Sequence, residues 1–118
     1  MPAATRTVDL LTGAFDLTQR RRFDVKKEDG TAVLSLYFTP ITRADRKRAT
    51  GLSGTDEALD ISTQMLCNKA ELEDGTKAFA AADAVKLQRE LPEQVLNELE
   101  LFLFGLGQAE SLETAKND

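Results

Sequence analysis

Residues 91–107 read LPEQVLNELELFLFGLG and carry more hydrophobic surface than one helix face can bury. Pro92 suits the first turn of a helix and Gly105 suits its end, so the run predicts one helix. At about 100° per residue, five apolar side chains share the expected core face: Val95, Leu96, Leu99, Phe102 and Leu103. Leu101 and Phe104 lie on the opposite side. We predict that this pair contacts a partner protein; the alternative is that another element, such as the N-terminal segment, covers it.

The composition is that of one globular domain. The chain has 118 residues, of which 30% are charged and 42% hydrophobic, enough to bury a modest core. A single cysteine excludes an intramolecular disulfide. The N-terminus lacks the apolar core of a signal peptide, and no stretch approaches membrane-spanning length. We therefore expect a cytoplasmic protein that makes no membrane contact.

The sequence contains no histidine, which is the commonest general base near neutral pH and a common metal ligand. The usual Cys/His zinc sites and the Ser/His or Cys/His nucleophilic arrangements are thereby excluded, while carboxylate-only catalysis and magnesium binding stay formally open. Glu71, Glu73 and Asp74 lack the spacing of a calcium loop, and a glycine turn explains Asp74-Gly75. We expect no enzymatic activity, no metal site and no cofactor.

The charge is divided unevenly along the chain. Residues 1–52 hold 10 Lys/Arg and 6 Asp/Glu, a net charge of +4, whereas residues 53–118 hold 5 and 14, a net charge of −9. Either two solvated surfaces simply differ, or basic and acidic faces meet within one subunit or between subunits stacked head to tail. For the second case the predicted self-association residues are basic Arg43, Arg46, Lys47 and Arg48, and acidic Asp56, Asp60 and Glu71.

A second interpretation of the basic residues is nucleic-acid binding. Arg20, Arg21 and Arg22 form one cluster and residues 43–48 form another, and clustered cations bind phosphate. Against this, the whole chain is acidic, with a pI near 4.8, and it carries no recognised DNA- or RNA-binding motif. We therefore expect nucleic-acid binding to be the less favoured function.

The remaining patterns predict an α+β chain that is mainly α. One antiparallel β-hairpin at about 21–39, with Asp29-Gly30 as a two-residue turn, is expected to pack on about four helices. The helices are expected at 43–50, with Thr42 and Asp45 as a capping box, then from 55 or 56 to 71, at 84–90 and at 92–104. Residues 1–20 fit an N-terminal arm or a short helix, residues 21–107 a single domain, and residues 108–118 a disordered tail.

The helix expected to end near residue 71 shows two predicted faces. The apolar face consists of Ala58, Leu59, Ile61, Met65, Leu66, Ala70 and Leu72, and the polar face of Asp56, Glu57, Asp60, Gln64 and Glu71. Cys67 lies on or near the polar face. It has no basic partner or second cysteine nearby, and we expect a spectator thiol.

Three segments together resemble the tail assembly chaperones of bacteriophages with long, non-contractile tails. They are LYFTPITRADRKRA at the end of the hairpin, STQMLCNKAELEDGTKAF across the second helix and turn, and LQRELPEQVLNELELFLFG at the last helix. The likeness covers residues 23–105. The likeness lies in the order of these segments and in short stretches of sequence, since these proteins have no catalytic motif to match.

The resemblance implies a specific role. Such proteins bind the very long tape measure protein, keep it soluble and help recruit the major tail tube protein around it. They act in the host bacterial cytoplasm, are absent from the mature virion, and self-associate into spiral or ring-like arrays. On this reading Leu101 and Phe104 bind the tape measure. The alternatives are a small nucleic-acid-binding regulator and a structural head–tail or tail component.

Overall fold

The computed structural model describes residues 6–105, so the predicted tail at 108–118 lies outside the described residues. Within that range the chain folds into five helices and one two-stranded antiparallel sheet, which confirms the predicted α+β, mainly α class. The element order is α1 (Thr7–Gly13), β1 (Arg21–Lys26), β2 (Ala32–Phe38), α2 (Arg43–Ser53), α3 (Ala58–Lys69), α4 (Asp83–Glu90) and α5 (Glu93–Leu103).

The hairpin forms where the alternation predicted it, but its loop is longer than expected. The Lys27 N–H donates to the Thr31 carbonyl oxygen at 2.9 Å, so residues 28–30 form the loop and the predicted two-residue turn is wrong. Gly30 has φ +89°, a left-handed conformation that glycine adopts without steric cost. The register slips by one residue at Val33, which is the bulge that accompanies a three-residue loop of this kind.

Helix α5 supplies much of the core, as predicted. Leu96, Leu99 and Leu103 are buried, and they pack with Leu36 and Phe38 of β2 and with residues of α3. Phe102 connects the helix to the sheet, because its ring centroid lies 5.0 Å from that of Phe23 and 5.7 Å from that of Phe38. The helix ends before Gly105, whose φ is +86°.

Helix α3 has no polar face in its middle. Five consecutive residues, Thr63 to Cys67, are buried, because α2, α4 and α5 all pack against this helix. The prediction that placed Gln64 and Cys67 on or near a polar face is therefore wrong. Leu59, predicted to be in the core, is 68% exposed because it lies in the first turn of α3, where α4 and α5 leave an open groove beside it.

Helix α2 begins at the predicted cap but ends later than predicted. The Thr42 hydroxyl accepts from the Asp45 N–H at 3.2 Å, and an Asp45 carboxylate oxygen accepts from the Thr42 N–H at 2.8 Å, so the predicted capping box is confirmed. Helix α2 continues to Ser53 and stops at Gly54, which has φ +74°. In α4, Leu87 packs against the core, whereas Val85 is 60% exposed.

Candidate protein–protein interfaces

The predicted partner-binding pair is only partly accessible. Phe104 packs against the hydrophobic core and lines a small cleft with Arg46, Ile61 and Met65. Leu101 is half-buried, and neither residue belongs to the large hydrophobic side chains that are strongly exposed. Phe104 is thus partly covered within its own subunit, which was the alternative to partner contact. The elements that cover it are α2 and α3 and not the N-terminal segment. Partner binding by this pair stays a prediction.

The largest accessible hydrophobic surface lies on the N-terminal arm, which we define as residues 6–17. Its helix α1 buries no residue. The arm exposes five large hydrophobic side chains, each between 47% and 67% accessible: Val8, Leu10, Leu11, Phe15 and Leu17. These are five of the eleven strongly exposed large hydrophobic residues in the described part of the chain. A seven-residue helix is marginal alone in water, so this arm is suited to forming contacts with another chain.

The basic residues of α2 divide into two groups. At about 100° per residue, Arg43, Arg46 and Lys47 share one side of the helix, with Arg46 at the edge nearest to the buried Ala49. All three are exposed, and none forms an ion pair with any residue from 6 to 105. We call these three residues the basic stripe. Arg48 lies apart from them and approaches Asp45 at 3.4 Å.

The predicted acidic face of α3 does not exist as one surface. Asp56 precedes the helix and lines the same cleft as Arg46, while Glu71 follows the helix. The Glu71 backbone pairs with that of Tyr37 through two hydrogen bonds of 2.9 Å, and its carboxylate lies 3.4 Å from Arg20. Of the three predicted acceptors, only Asp60 remains on the helix. The grouping is wrong because α3 runs only from Ala58 to Lys69.

The arginine cluster at 20–22 is largely engaged by the fold itself. Arg20 donates to the carbonyl oxygens of Leu72 (2.6 Å) and Glu73 (3.1 Å) and lies over the Tyr37 ring. Arg21 lies 4.5 Å from the Phe102 ring centroid, and burial lowers its pKa. Arg22 pairs with Asp24 at 2.8 Å. Arg21 lies on the opposite side of the chain from Arg20 and Arg22, and all three already contact groups of the same subunit, so the cluster does not form the free cationic face that phosphate binding requires.

An acidic groove lies between α3, α4 and α5. It encloses about 330 Å³, and ten described residues line it, none of them Lys or Arg: Glu57, Leu59, Asp60, Thr63, Gln88, Leu91, Glu93, Leu96, Asn97 and Glu100. Three leucines form its apolar surface and four carboxyl groups surround them. Glu57 and Glu93 are exposed, at the N-terminal ends of α3 and α5. Sequence reasoning missed this groove because its residues come from three separate helices.

Glu100 is the one buried carboxylate of the groove, and only 7% of the residue is exposed. The Thr63 hydroxyl donates to Glu100 Oε2 at 2.7 Å, and Gln88 Nε2 donates to Thr63 Oγ1 and to Asp60 Oδ1. Burial raises the pKa of Glu100, although the Thr63 hydrogen bond works the other way. Its spacing from Leu96 and Leu103 places it on the apolar stripe of α5, a signal that the sequence does contain.

No group of three or more potential metal ligands occurs among residues 6–105. In the loop at residues 71–74, the Asp74 carboxylate accepts hydrogen bonds from the Thr76 hydroxyl and backbone N–H, and Arg20 donates to the carbonyl oxygens of Leu72 and Glu73. These hydrogen bonds hold the loop without a metal ion.

None of the helices among residues 6–105 is long and apolar enough to cross a membrane.

The sequence matches no family model, and no curated protein or solved structure is significantly similar to it. The resemblance to tail assembly chaperones therefore stays a prediction from local sequence.

Proposed function

We propose that this protein is a tail assembly chaperone of a long-tailed bacteriophage. It binds the tape measure protein in the host cytoplasm, keeps it soluble and helps recruit tail tube subunits. The observation that carries the proposal is the N-terminal arm, whose five large hydrophobic side chains are all exposed. Exposed hydrophobic surface on a small protein marks a site for another protein.

The arm is suited to a long helical client. Val8 and Leu11 recur at the spacing of one side of α1, Leu10 lies on another side of the helix, and Phe15 and Leu17 follow after the helix ends. Helix-in-groove and helix-on-helix recognition use anchors at this spacing. Because the arm makes no buried contact in its own subunit, binding a client displaces nothing from the folded core.

The charged surfaces support the second part of the proposal, self-association along the client. The basic stripe and the acidic groove are formed by different helices of one subunit. A contact between unlike surfaces of identical subunits repeats from copy to copy and produces a ring or an open spiral.

The test is co-expression of the full chain with the tape measure protein of the same phage, followed by co-purification and assay of tape measure solubility. The arm variant carries Val8→Ser, Leu11→Ser and Phe15→Ser. The matched control carries Val33→Ser and Leu34→Ser, which alters exposed hydrophobic residues of the hairpin (52% and 42% accessible). We expect the arm variant to lose the tape measure protein and the control to retain it.

A third variant, Leu101→Asp with Phe104→Asp, tests the surface that the sequence predicted. Loss of binding by a folded protein would locate the client there instead of on the arm, whereas unfolding detected by circular dichroism would assign both residues to the core. Failure of the wild-type protein to bind or solubilise the tape measure would refute the proposed function. Presence of the protein in purified virions would favour a structural tail component.

A further inference from the structure

The basic stripe and the acidic groove are two complementary surfaces of one chain that do not meet within the subunit. No residue of α2 lines the groove, which belongs to α3, α4 and α5. All three residues of the stripe are exposed, although Arg46 lies at the edge nearest to the buried Ala49. Arg46 approaches its own Asp56 only across a separate cleft, and the two form no ion pair.

We propose that the α2 helix of one copy docks with Arg43, Arg46 and Lys47 in the groove between α3, α4 and α5 of the next copy. This inference rests on the self-association in the proposed function and names its two surfaces. In this contact the groove takes the place of Asp56 and Glu71 as the acidic partner of the stripe. Asp56 lies beside Arg46 of its own chain, and Glu71 lies beside Arg20.

Charge complementarity supports this choice of occupant. Four carboxyl groups and no cation line the groove, and three exposed cations without a carboxylate partner among residues 6–105 line the stripe. Lys and Arg also have long hydrocarbon stems that lie along apolar surface while their charged ends reach polar groups. The exposed Leu59 and the adjoining Leu91 and Leu96 provide such a surface between the carboxylates.

The contact is head-to-tail, because its two sides are different. Each subunit keeps a free stripe at one end and a free groove at the other, so the assembly continues until it closes or winds into a spiral. Salt screens attraction between accessible charges, and we expect wild-type assembly to shrink as ionic strength rises.

The decisive experiment uses two charge-reversed variants of the full chain. The stripe variant carries Arg46→Glu and Lys47→Glu. The groove variant carries Glu57→Lys and Glu93→Lys, and it leaves the hydrogen bonds of Asp60 and Glu100 intact. In the stripe variant, Arg43 and two new Glu residues face a groove of four carboxyl groups, whereas in the groove variant two new Lys residues balance Asp60 and Glu100. Neither variant keeps the charge attraction of the wild type, so each alone should associate at least about tenfold more weakly at low salt.

Mixing the variants should restore association. The unchanged stripe of the groove variant fits the unchanged groove of the stripe variant, so the mixture forms heterodimers. Analytical ultracentrifugation of each variant and of the equimolar mixture measures this. The controls carry the same charge changes elsewhere: Lys26→Glu with Lys27→Glu, and Glu28→Lys with Glu98→Lys, all at exposed positions.

Three results would each overturn the inference. The first is a wild-type protein that is monomeric at low salt, and the second is a variant, folded by circular dichroism, that assembles as well as the wild type. The third is a mixture of the two folded variants that stays monomeric. Tape measure binding is measured separately on the same proteins. A monomeric wild type that binds the tape measure would refute only this interface. An assembling wild type that ignores the tape measure would refute only the chaperone function.

Discussion

Glu100 is the residue whose environment most opposes its charge. Burial raises the pKa of its carboxyl above the ordinary value of 4.5, so the folded protein holds this proton more tightly than the unfolded chain. The free energy of unfolding therefore contains a contribution that falls as pH rises from about 4.5 through the raised pKa. At neutral pH the buried charge destabilises the fold.

We predict that Glu100→Gln stabilises the protein at pH 7 and above. Gln keeps an oxygen that can accept from Thr63 but removes the buried charge. The gain should shrink as pH falls and vanish below about 4.5, where Glu100 is protonated in both states. Urea unfolding from pH 4 to pH 8 measures the gain, with exposed Glu98→Gln as control. A gain that does not change with pH would contradict this account.

Cys67 is 1% exposed, and burial raises the pKa of its thiol to about 12. Because the thiolate is the reactive form, the native thiol should be inert. We predict that the folded protein reacts with a chromogenic disulfide reagent at pH 8 at least about a hundredfold more slowly than the urea-unfolded chain. Rapid labelling of the native protein would show that α3 opens readily.

At the scale of one element, α3 shows that a leucine's stability contribution depends on its position along the helix. Leu66 is fully buried, whereas Leu59, in the first turn of the same helix, is 68% exposed. We predict that Leu66→Ala lowers the free energy of unfolding by about 2–5 kcal/mol, and that Leu59→Ala changes it by less than about 0.5 kcal/mol. Chemical denaturation of both variants compares them. Equal losses would mean that the first turn of α3 is covered.

The elements also show which features are readable from sequence. The capping box at Thr42 and the termination of α5 at Gly105 follow from local chemistry, and the sequence predicts both correctly. The middle of α3 does not follow from periodicity, because neighbours surround it and bury polar Gln64 along with Met65. The acidic groove is still less predictable, since it exists only when three helices meet.

At the scale of the whole molecule, Phe102 joins the hairpin to the helices. Its ring contacts Phe23 and Phe38, and Arg21 lies over it and donates to the Leu103 carbonyl oxygen at 3.0 Å. A two-stranded hairpin is marginal without such support. This packing is what makes the sheet and the helices one cooperative unit.

We predict that Phe102→Ala lowers the free energy of unfolding by about 3 kcal/mol and uncouples the hairpin. The chain has one tyrosine, Tyr37 in β2, and no tryptophan, so tyrosine fluorescence reports the hairpin while far-ultraviolet circular dichroism reports the helices. The two transitions should coincide in the wild type and separate in the variant. Exposed Phe15→Ala is the control, and coincident transitions in Phe102→Ala would refute the linking role.

The enclosure of α3 has a consequence for how the molecule exchanges its amide hydrogens. A helix buried on every side at Thr63–Cys67 cannot open without separating α2, α4 and α5 from it. Its central amides should exchange only through global unfolding, so their protection factors give the total free energy of unfolding. The amides of α1, which buries nothing, should exchange almost as fast as those of a free peptide.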